Sequence, residues 1–356
     1  MEQRKALIAM SGGVDSSVAA YLTKSMGYDP VGCTMKLFDG EDSEQVLSKT
    51  CCSLSDVEDA GSVCRKLGIP YHVFNFKAEF GEKVIDKFIK CYSCGITPNP
   101  CLDCNRYLKF EKLYERAKVL GCDKIVTGHY ARIEDENGRF LLKKGLDDTK
   151  DQSYVLYTLT QDQLAHTLFP LGELTKKEVR EIAEQNGFIN FNKADSQDIC
   201  FVPDGDHRKF IEEYTGRTYP EGDFIGPDGN VIGKHKGIIA YTIGQRKGLG
   251  VAYGEPLFVK KISPEDNRVY LGRDEELYSN ETDVRDLHII SGEVPAEPFR
   301  CKVRIRYKHK EKDALVTPLG DDRAHIGFDE PQRAITPGQA AVFYDGDVVL
   351  GGGVII

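Results

Sequence analysis

No apolar run in the 356 residues approaches the ~20 consecutive residues a helix needs to cross a bilayer, which excludes a membrane-spanning helical protein. Positive charge is not in excess. Forty-seven basic residues against 56 acidic ones give a net charge of −9, so any nucleic-acid binding has to come from local patches rather than from a global field. No internal repeat and no low-complexity linker interrupts the chain. Met1 to Lys5 run straight into an apolar strand, leaving no room for a signal peptide. The eleven cysteines are an odd number in a long chain, unlike a small secreted disulfide scaffold. These absences lead to the expectation of a cytoplasmic protein in a reducing compartment, with some cysteines chemically active.

What is present is the composition of a globular protein, 40% hydrophobic and 29% charged, in a chain long enough for two or three cores. The first part alternates strand and helix signals. Strands are expected at Ala6 to Met10, Pro30 to Lys36, Tyr71 to Phe76 and Lys124 to Thr127. Helices are expected after Val14, over Asp56 to Leu67 (capped by Ser53 or Ser55 and stopped by Gly68), over Glu79 to Lys90, and over Leu174 to Asn186. Such alternation implies an α/β domain, a parallel sheet with helices on both faces. Beyond about Phe210, Gly and Pro punctuate short β runs at Gly237 to Thr242, Leu257 to Ile262, Val269 to Leu271, Val303 to Tyr307, Ala340 to Tyr344 and Val348 to Leu350. The expected division is 1–209 for the α/β domain, 210–280 for a small central β-rich domain and 281–356 for a C-terminal β-barrel.

Between the first strand and first helix lies Ser11-Gly12-Gly13-Val14-Asp15-Ser16-Ser17. Two glycines at such a corner let backbone amides approach an anion closely, and a helix N-terminus adds uncapped N–H groups and partial positive charge. The serine hydroxyls are further expected donors, so the turn suits a phosphate or pyrophosphate. The Gly-Lys-[Ser/Thr] ending of the Walker loop is missing, which disfavours an ordinary P-loop NTPase. Ligands of parallel sheets sit beyond strand C-terminal ends, and Met10-Ser11, Met35 and Gly128-His129 all fall there.

Two Cys-x-x-Cys pairs, Cys91/Cys94 and Cys101/Cys104, stand close together. Such pairs raise a zinc reading, although the spacer is shorter than in zinc ribbons. Cys200 lies in a polar loop from Asp195 to Phe201, a placement that suits either a small buried hydrophobe or a functional thiol. Cys51 and Cys52 precede a helix start, where dipole and amides would lower a thiol pKa, yet read as structural residues; Cys33, Cys64, Cys122 and Cys301 read as packing residues. From Arg300 to Lys312 every second residue is basic. In a strand these would form one charged stripe with Cys301, Val303, Ile305 and Tyr307 facing inward. A guarded edge and a polyanion contact both fit that pattern, with Lys150 to Ser153 and Gly244 to Gly248 as neighbouring loops.

Several stretches together resemble a known family. Ser-Gly-Gly-Val-Asp-Ser is similar to the pyrophosphate loop of adenylating ATP pyrophosphatases. Thr97-Pro98-Asn99-Pro100 leading to Cys104-Asn105, Thr127-Gly128-His129-Tyr130, Lys150-Asp151-Gln152-Ser153-Tyr154, Ile199-Cys200-Phe201, Gly244 to Gly250, Thr336-Pro337-Gly338-Gln339 and Leu350 to Gly353 resemble, in order, the bacterial tRNA-specific 2-thiouridylases. The resemblance implies an adenine nucleotide alpha-hydrolase-like domain followed by two β domains. It implies adenylation of the wobble uridine (U34) in a tRNA anticodon stem-loop by ATP with Mg²⁺, then sulfur transfer giving 2-thiouridine, AMP and pyrophosphate. By residue-wise matching, Ala9, Met10, Ser11, Gly12, Gly13, Val14, Asp15, Ser16, Met35 and Gly128 would contact the nucleotide. Cys104 would be the nucleophile and Cys200 the persulfide carrier, loaded by a sulfur-relay protein or a cysteine desulfurase and closing a disulfide with Cys104. Asn99, Pro100 and Cys101 would read the flipped base. His129, Lys150, Asp151, Gln152, Arg306, Tyr307 and Gln339 would contact tRNA. Some members carry aspartate where this chain has Cys101, so Cys101, Cys104 and Cys200 form a potential [4Fe–4S] ligand set. Cys91 and Cys94 have no counterpart in the family pattern. Two other readings remain: a nitrogen-transferring adenylating ligase, and a zinc-stapled, non-catalytic RNA-binding protein.

Overall fold

The computed structural model describes residues 4–38, 54–194, 199–202 and 204–356. The strand Lys5–Ala9 is the centre of a five-stranded, wholly parallel sheet. Its order is Tyr71–Asn75, Asp29–Lys36, Lys5–Ala9, Lys124–Val126, Thr167–Leu168. Alternate side chains of the central strand enter different cores. Leu7 joins Phe76, Phe80 and Phe88 on one face, while Ala6 and Ile8, with Met10 just beyond, join Val14, Val18 and Val126 on the other. A strand buried on both faces has to read as an unbroken apolar run.

The first helix is Val14–Ser25 and the second Leu54–Leu67. Ser55 is thus inside the second helix rather than its cap, while Ser53, Cys51 and Cys52 lie outside the described residues. Helical backbone continues unbroken through Lys77–Phe80, Gly81–Ile85 and Asp86–Ser93, and again through Pro100–Asp103, Cys104–Lys112 and Leu113–Val119. The middle third of each is π-helical. The helix Lys176–Gln185 opens with a capping box in which Thr175 and Glu178 satisfy each other's backbone amides.

A helix, His207–Thr215, spans the expected junction at 209/210 and leads into a four-stranded sheet ordered Phe258–Ser263, Arg268–Gly272, Gly222–Ile225, Val231–His235. The strand expected over Gly237 to Thr242 is instead a short 3-10 turn, Ile238–Ala240. Gly237 at φ +100° swings the chain off the sheet so that Ile238 and Ile239 reach the core.

In the C-terminal part, six strands follow one another as Tyr278–Ile289, Arg323–Arg333, Lys312–Gly320, Phe299–Arg304, Ala340–Asp345 and Val348–Ile355. The last pairs back onto the first, closing a barrel without free edges. A hairpin from far upstream, Ala131–Glu136 with Arg139–Lys144, extends this sheet through Lys143 opposite Val348. Its Asn137-Gly138 turn has φ of +56° and +87°, the left-handed pair that tight hairpins favour.

The alternating basic segment is not one strand. The strand ends at Arg304, and Ile305 to Lys308 form bends and turns. Val303 and Ile305 are buried in the barrel core, but Tyr307 is exposed rather than inward. Three of the seven basic residues are tied to carboxylates: Arg300 to Asp329, Arg304 to Asp151 and Glu311, and Lys312 to Glu330. Mutual repulsion along a single stripe is therefore relieved within the protein itself.

Candidate active site

At the C-terminal end of the central strand, Gly13 precedes the first helix with extended backbone, and no side chain caps that helix. Its first N–H groups are therefore left to an external acceptor. Gly12 has φ +74°, and a Cβ there would lie 2.4 Å from the carbonyl oxygen of Asp56, so only glycine fits. The hydroxyls expected as anion donors mostly turn inward. Ser16 Oγ and Ser17 Oγ each donate to the Gly13 carbonyl at 3.0 Å, and Ser16 Oγ accepts from Ser11 N–H. Ser11 remains exposed at the rim.

A carboxylate beside this turn would repel an anion bound there, and Asp15 is such a group. Lys176 Nζ donates to both of its oxygens, at 2.7 and 2.8 Å, and Tyr130 Oη donates to one at 2.8 Å. Gly128 packs directly on this turn; a Cβ there would lie 2.9 Å from Asp15 C and 3.0 Å from Ser16 N. Met10 and Met35 are buried beneath, at the ends of adjacent strands. The structure thus gathers Ala9 to Ser16, Met35 and Gly128 at one end of the sheet.

The segment carrying the cysteines is held from three sides. Asn99 Oδ1 accepts from Cys101 N–H and caps the helix that begins at Pro100. Thr97 donates its N–H to Pro337 O, and its own carbonyl accepts from Gln339 Nε2 at 2.9 Å. Thr97 Oγ1 also meets Thr242 Oγ1. Asp103, between the exposed Cys101 and the half-buried Cys104, receives Lys87 Nζ at 2.7 Å. Cys200 is positioned by its neighbour Phe201, whose ring is caged by Phe80, Phe88 and Phe210 at 5.6, 5.2 and 5.1 Å between centroids. Cys104 and Cys200 border the same apolar core.

Among the described residues no three His, Cys, Asp or Glu side chains are gathered as metal ligands. That holds both for the zinc set Cys91, Cys94, Cys101 and Cys104 and for the iron–sulfur set Cys101, Cys104 and Cys200. Cys91 and Cys94 occupy the end of one helix, the first half-buried and the second exposed. Cys33, Cys64 and Cys122 are buried; Cys301 is half-buried, and its thiol is pushed up to about 12 by burial.

The residues expected to meet tRNA divide into two groups. His129 is buried against Phe110 and Phe169, with Thr127 Oγ1 at 2.7 Å from Nδ1. Desolvation, then the nearby Lys109 ammonium, holds its pKa well below the usual histidine value. Asp151 is buried too, receiving Arg304 Nη1 at 3.0 Å and the N–H groups of Gly145 and Ser153. Gln152 Oε1 accepts from Tyr130 N–H. His129 and Asp151 are both buried, at 6% exposure. Lys150, Arg306 and Gln339 are half-exposed and Tyr307 is exposed, and these retain access to a partner.

Lys176, Asn190 and Lys193, which hold the di-glycine turn and Asp15, carry no local sequence signal, whereas Tyr130 stands in the Thr127 to Tyr130 stretch. Only the capping box Thr175-x-x-Glu178 marks the helix that delivers Lys176.

A parallel-sheet domain with an uncapped di-glycine turn at its strand ends, joined to two β domains, defines a nucleotide-binding α/β protein with appended β modules. Family models agree along the chain: a tRNA methyl transferase HUP domain over residues 4–204, a tRNA methyl transferase PRC-barrel domain over 208–273 and an aminomethyltransferase β-barrel domain over 279–355. The chain is 51% identical over 354 residues to the tRNA-specific 2-thiouridylase MnmA of Clostridioides difficile, covering 99% of this chain and 98% of the relative. It is 51% identical to that of Acetivibrio thermocellus with complete coverage of both. To that of Lachnoclostridium phytofermentans it is 50% identical, covering 99% of each. The chain belongs to the tRNA-specific 2-thiouridylase family, a family of sulfurtransferase enzymes. No helix among the described residues is long and apolar enough to cross a membrane.

Proposed function

We propose that this enzyme converts the wobble uridine of tRNA to 2-thiouridine, using MgATP as substrate. ATP's phosphates bind the amides of Gly12 to Ser16, where Lys176 cancels the opposing charge of Asp15. The uridine O2 attacks the α-phosphorus, and the bond to pyrophosphate breaks. Adenylation turns a poor oxygen leaving group into a good one, and positioned amides stabilise the charge that develops. Cys200 carries a persulfide received from a relay protein or cysteine desulfurase. The Cys104 thiolate attacks its inner sulfur, forming the Cys104–Cys200 disulfide and releasing hydrosulfide. Hydrosulfide adds at C2 and AMP leaves; an external thiol reductant resets the disulfide.

Asn99, Pro100 and Cys101 adjoin Cys104 on the clamped segment and suit a role in holding the flipped base. Lys150, Arg306, Tyr307 and Gln339 suit the surrounding tRNA contact. The observation that carries this reading is the fixing of the Cys104 segment by the C-terminal domain, through Pro337 and Gln339, within a chain that also holds a phosphate cradle. The nitrogen-transferring and non-catalytic readings give that clamp no purpose.

The test is incubation with MgATP, unmodified tRNA, a persulfide donor and reductant, followed by nucleoside analysis. Wild type is expected to form 2-thiouridine and release one pyrophosphate per thiolation. Cys104→Ser and Cys200→Ser are expected to abolish the product while still binding MgATP. Full activity in either variant overturns the sulfur route.

A further inference from the structure

We infer that Asn190 is a positioning residue for the ATP step: its side-chain amide holds both glycine carbonyls of the phosphate turn away from the nucleotide, aiming two consecutive backbone N–H groups at it. The inference rests on the reading of this turn as the ATP site.

A trans peptide is planar, so the carbonyl of one residue and the N–H of the next point in opposite directions. Wherever the Gly12 and Gly13 carbonyls are held, the N–H groups of Gly13 and Val14 face the other way. Asn190 Nδ2 donates to Gly12 O at 2.8 Å and to Ser17 Oγ at 2.9 Å. That uses both amide protons and makes the Ser17 oxygen an acceptor, leaving its own proton for Gly13 O at 3.0 Å. One amide therefore fixes the first carbonyl directly and, through Ser17, contributes to the second, which also accepts from Ser16 Oγ at 3.0 Å and from Ser17 N–H at 3.3 Å.

The turn needs such an anchor. Glycine adopts positive and negative φ about equally well, so a Gly-Gly peptide resists flipping less than any other. A flipped Gly12–Gly13 peptide would present a carbonyl oxygen to the phosphates. Lys193 Nζ also approaches Gly12 O, but at 3.4 Å, and makes shorter contacts of 2.7 Å to Asp56 and to Asp59.

Asn190 also has an unmet need. It is 3% exposed, and its Oδ1 has no hydrogen-bond partner. A buried unpaired amide oxygen costs stability, so an asparagine here is not explained by packing. Its two donated bonds are what the site gains. The backbone brings it there after the helix Lys176–Gln185 and the Gly187 turn, the same excursion that supplies Lys176 to Asp15.

The experiment uses full-length protein, MgATP calorimetry and steady-state kinetics of tRNA-dependent pyrophosphate release. Asn190→Asp keeps the shape and removes both donors. Its ATP Kd and KM are expected to rise about 10- to 100-fold, the scale of leaving a buried polar group without its hydrogen-bond partner, with the KM for tRNA unchanged. Ser17→Ala breaks only the relay and is expected to raise the ATP KM less than Asn190→Asp does. Asn190→Asp within twofold of wild type for ATP overturns the inference, as does a lowered melting temperature with an unchanged ATP KM. If Asn190→Asp fails to fold, Ser17→Ala decides: an ATP KM equal to wild type overturns the relay. Wild type that does not bind MgATP at all refutes the ATP reading itself rather than the role of Asn190.

Discussion

Lys176 forms a two-oxygen ion pair with Asp15, 161 residues away in the chain, with contacts of 2.7 and 2.8 Å. The lysine side chain is only 12% exposed, so the pair is poorly screened compared with a surface bridge. Lys176→Ala leaves Asp15 uncompensated beside the phosphates. Its ATP KM is expected to rise by roughly tenfold, as when one member of a partly buried charge pair is removed. Adding Asp15→Asn to Lys176→Ala should recover much of the loss, which a double-mutant cycle in ATP KM would measure. An unchanged KM in the single variant would sink the electrostatic argument.

Gly338 sits between the barrel and the cysteine segment. It has φ +91°, and a Cβ there would lie 2.4 Å from Ile96 Cγ2 and 2.9 Å from Thr97 O. Gly338→Ala must push this segment away from Pro337 and Gln339. Thiolation is expected to fall by about tenfold or more, as misplaced reacting groups do, while MgATP affinity stays at the wild-type value. A matching loss of ATP affinity would show that the two halves of the site are not separable in this way.

The buried His129 predicts an acid-sensitive fold. Its folded pKa lies well below its ordinary value of 6.5, first through desolvation and then through Lys109. The unfolded chain therefore binds a proton that the folded one refuses, and stability must fall as pH drops through 6.5 and below. His207, His235, His288 and His309 are shifted the same way, with desolvation the leading cause in each. The melting temperature should decline between pH 7.5 and 5. His129→Gln, which cannot titrate, should reduce that decline; an identical pH dependence in the variant would contradict the assignment.

Arg304, on the barrel, joins it to the α/β part by pairing with Asp151, and also pairs with Glu311 next to its own strand, at side-chain exposures of 14%, 3% and 11%. Arg304→Leu removes the ion-pair partner of the buried Asp151 and one of the two held by Glu311, which keeps Lys144 at 2.7 Å, and is expected to cost about 3 kcal/mol, read as a lower urea midpoint. Arg304→Lys should recover only part, because one ammonium cannot reproduce a forked guanidinium contact. A midpoint within error of wild type for Arg304→Leu would remove this network from the account of domain union.

The sheet was legible from the sequence because strands buried on both faces must be continuously apolar, as Ala6-Leu7-Ile8-Ala9-Met10 is. The upstream hairpin hid in a polar stretch, since its partner strand Val348–Ile355 is 204 residues beyond Lys144. The basic segment misled because alternation alone carries no information about where a strand ends; the turn after Arg304 and the acidic partners Asp329, Glu311 and Glu330 are tertiary facts. Ser16 and Ser17 could not be told from phosphate donors until the Gly13 carbonyl was seen to take their protons.

By itself the sequence, read through the family it resembles, pointed to the di-glycine turn, Cys104 and Cys200 as the residues expected to carry the chemistry. Only the tertiary structure decided how they are aimed. Lys176, Asn190, Gln339 and Phe201 reach the site across long separations in the chain, and the directions of charge and hydrogen bonds are set by atoms that meet only after folding. Local patterns record backbone periodicity and turn chemistry; they hold no record of which distant side chain neutralises Asp15 or turns the Gly12 carbonyl aside.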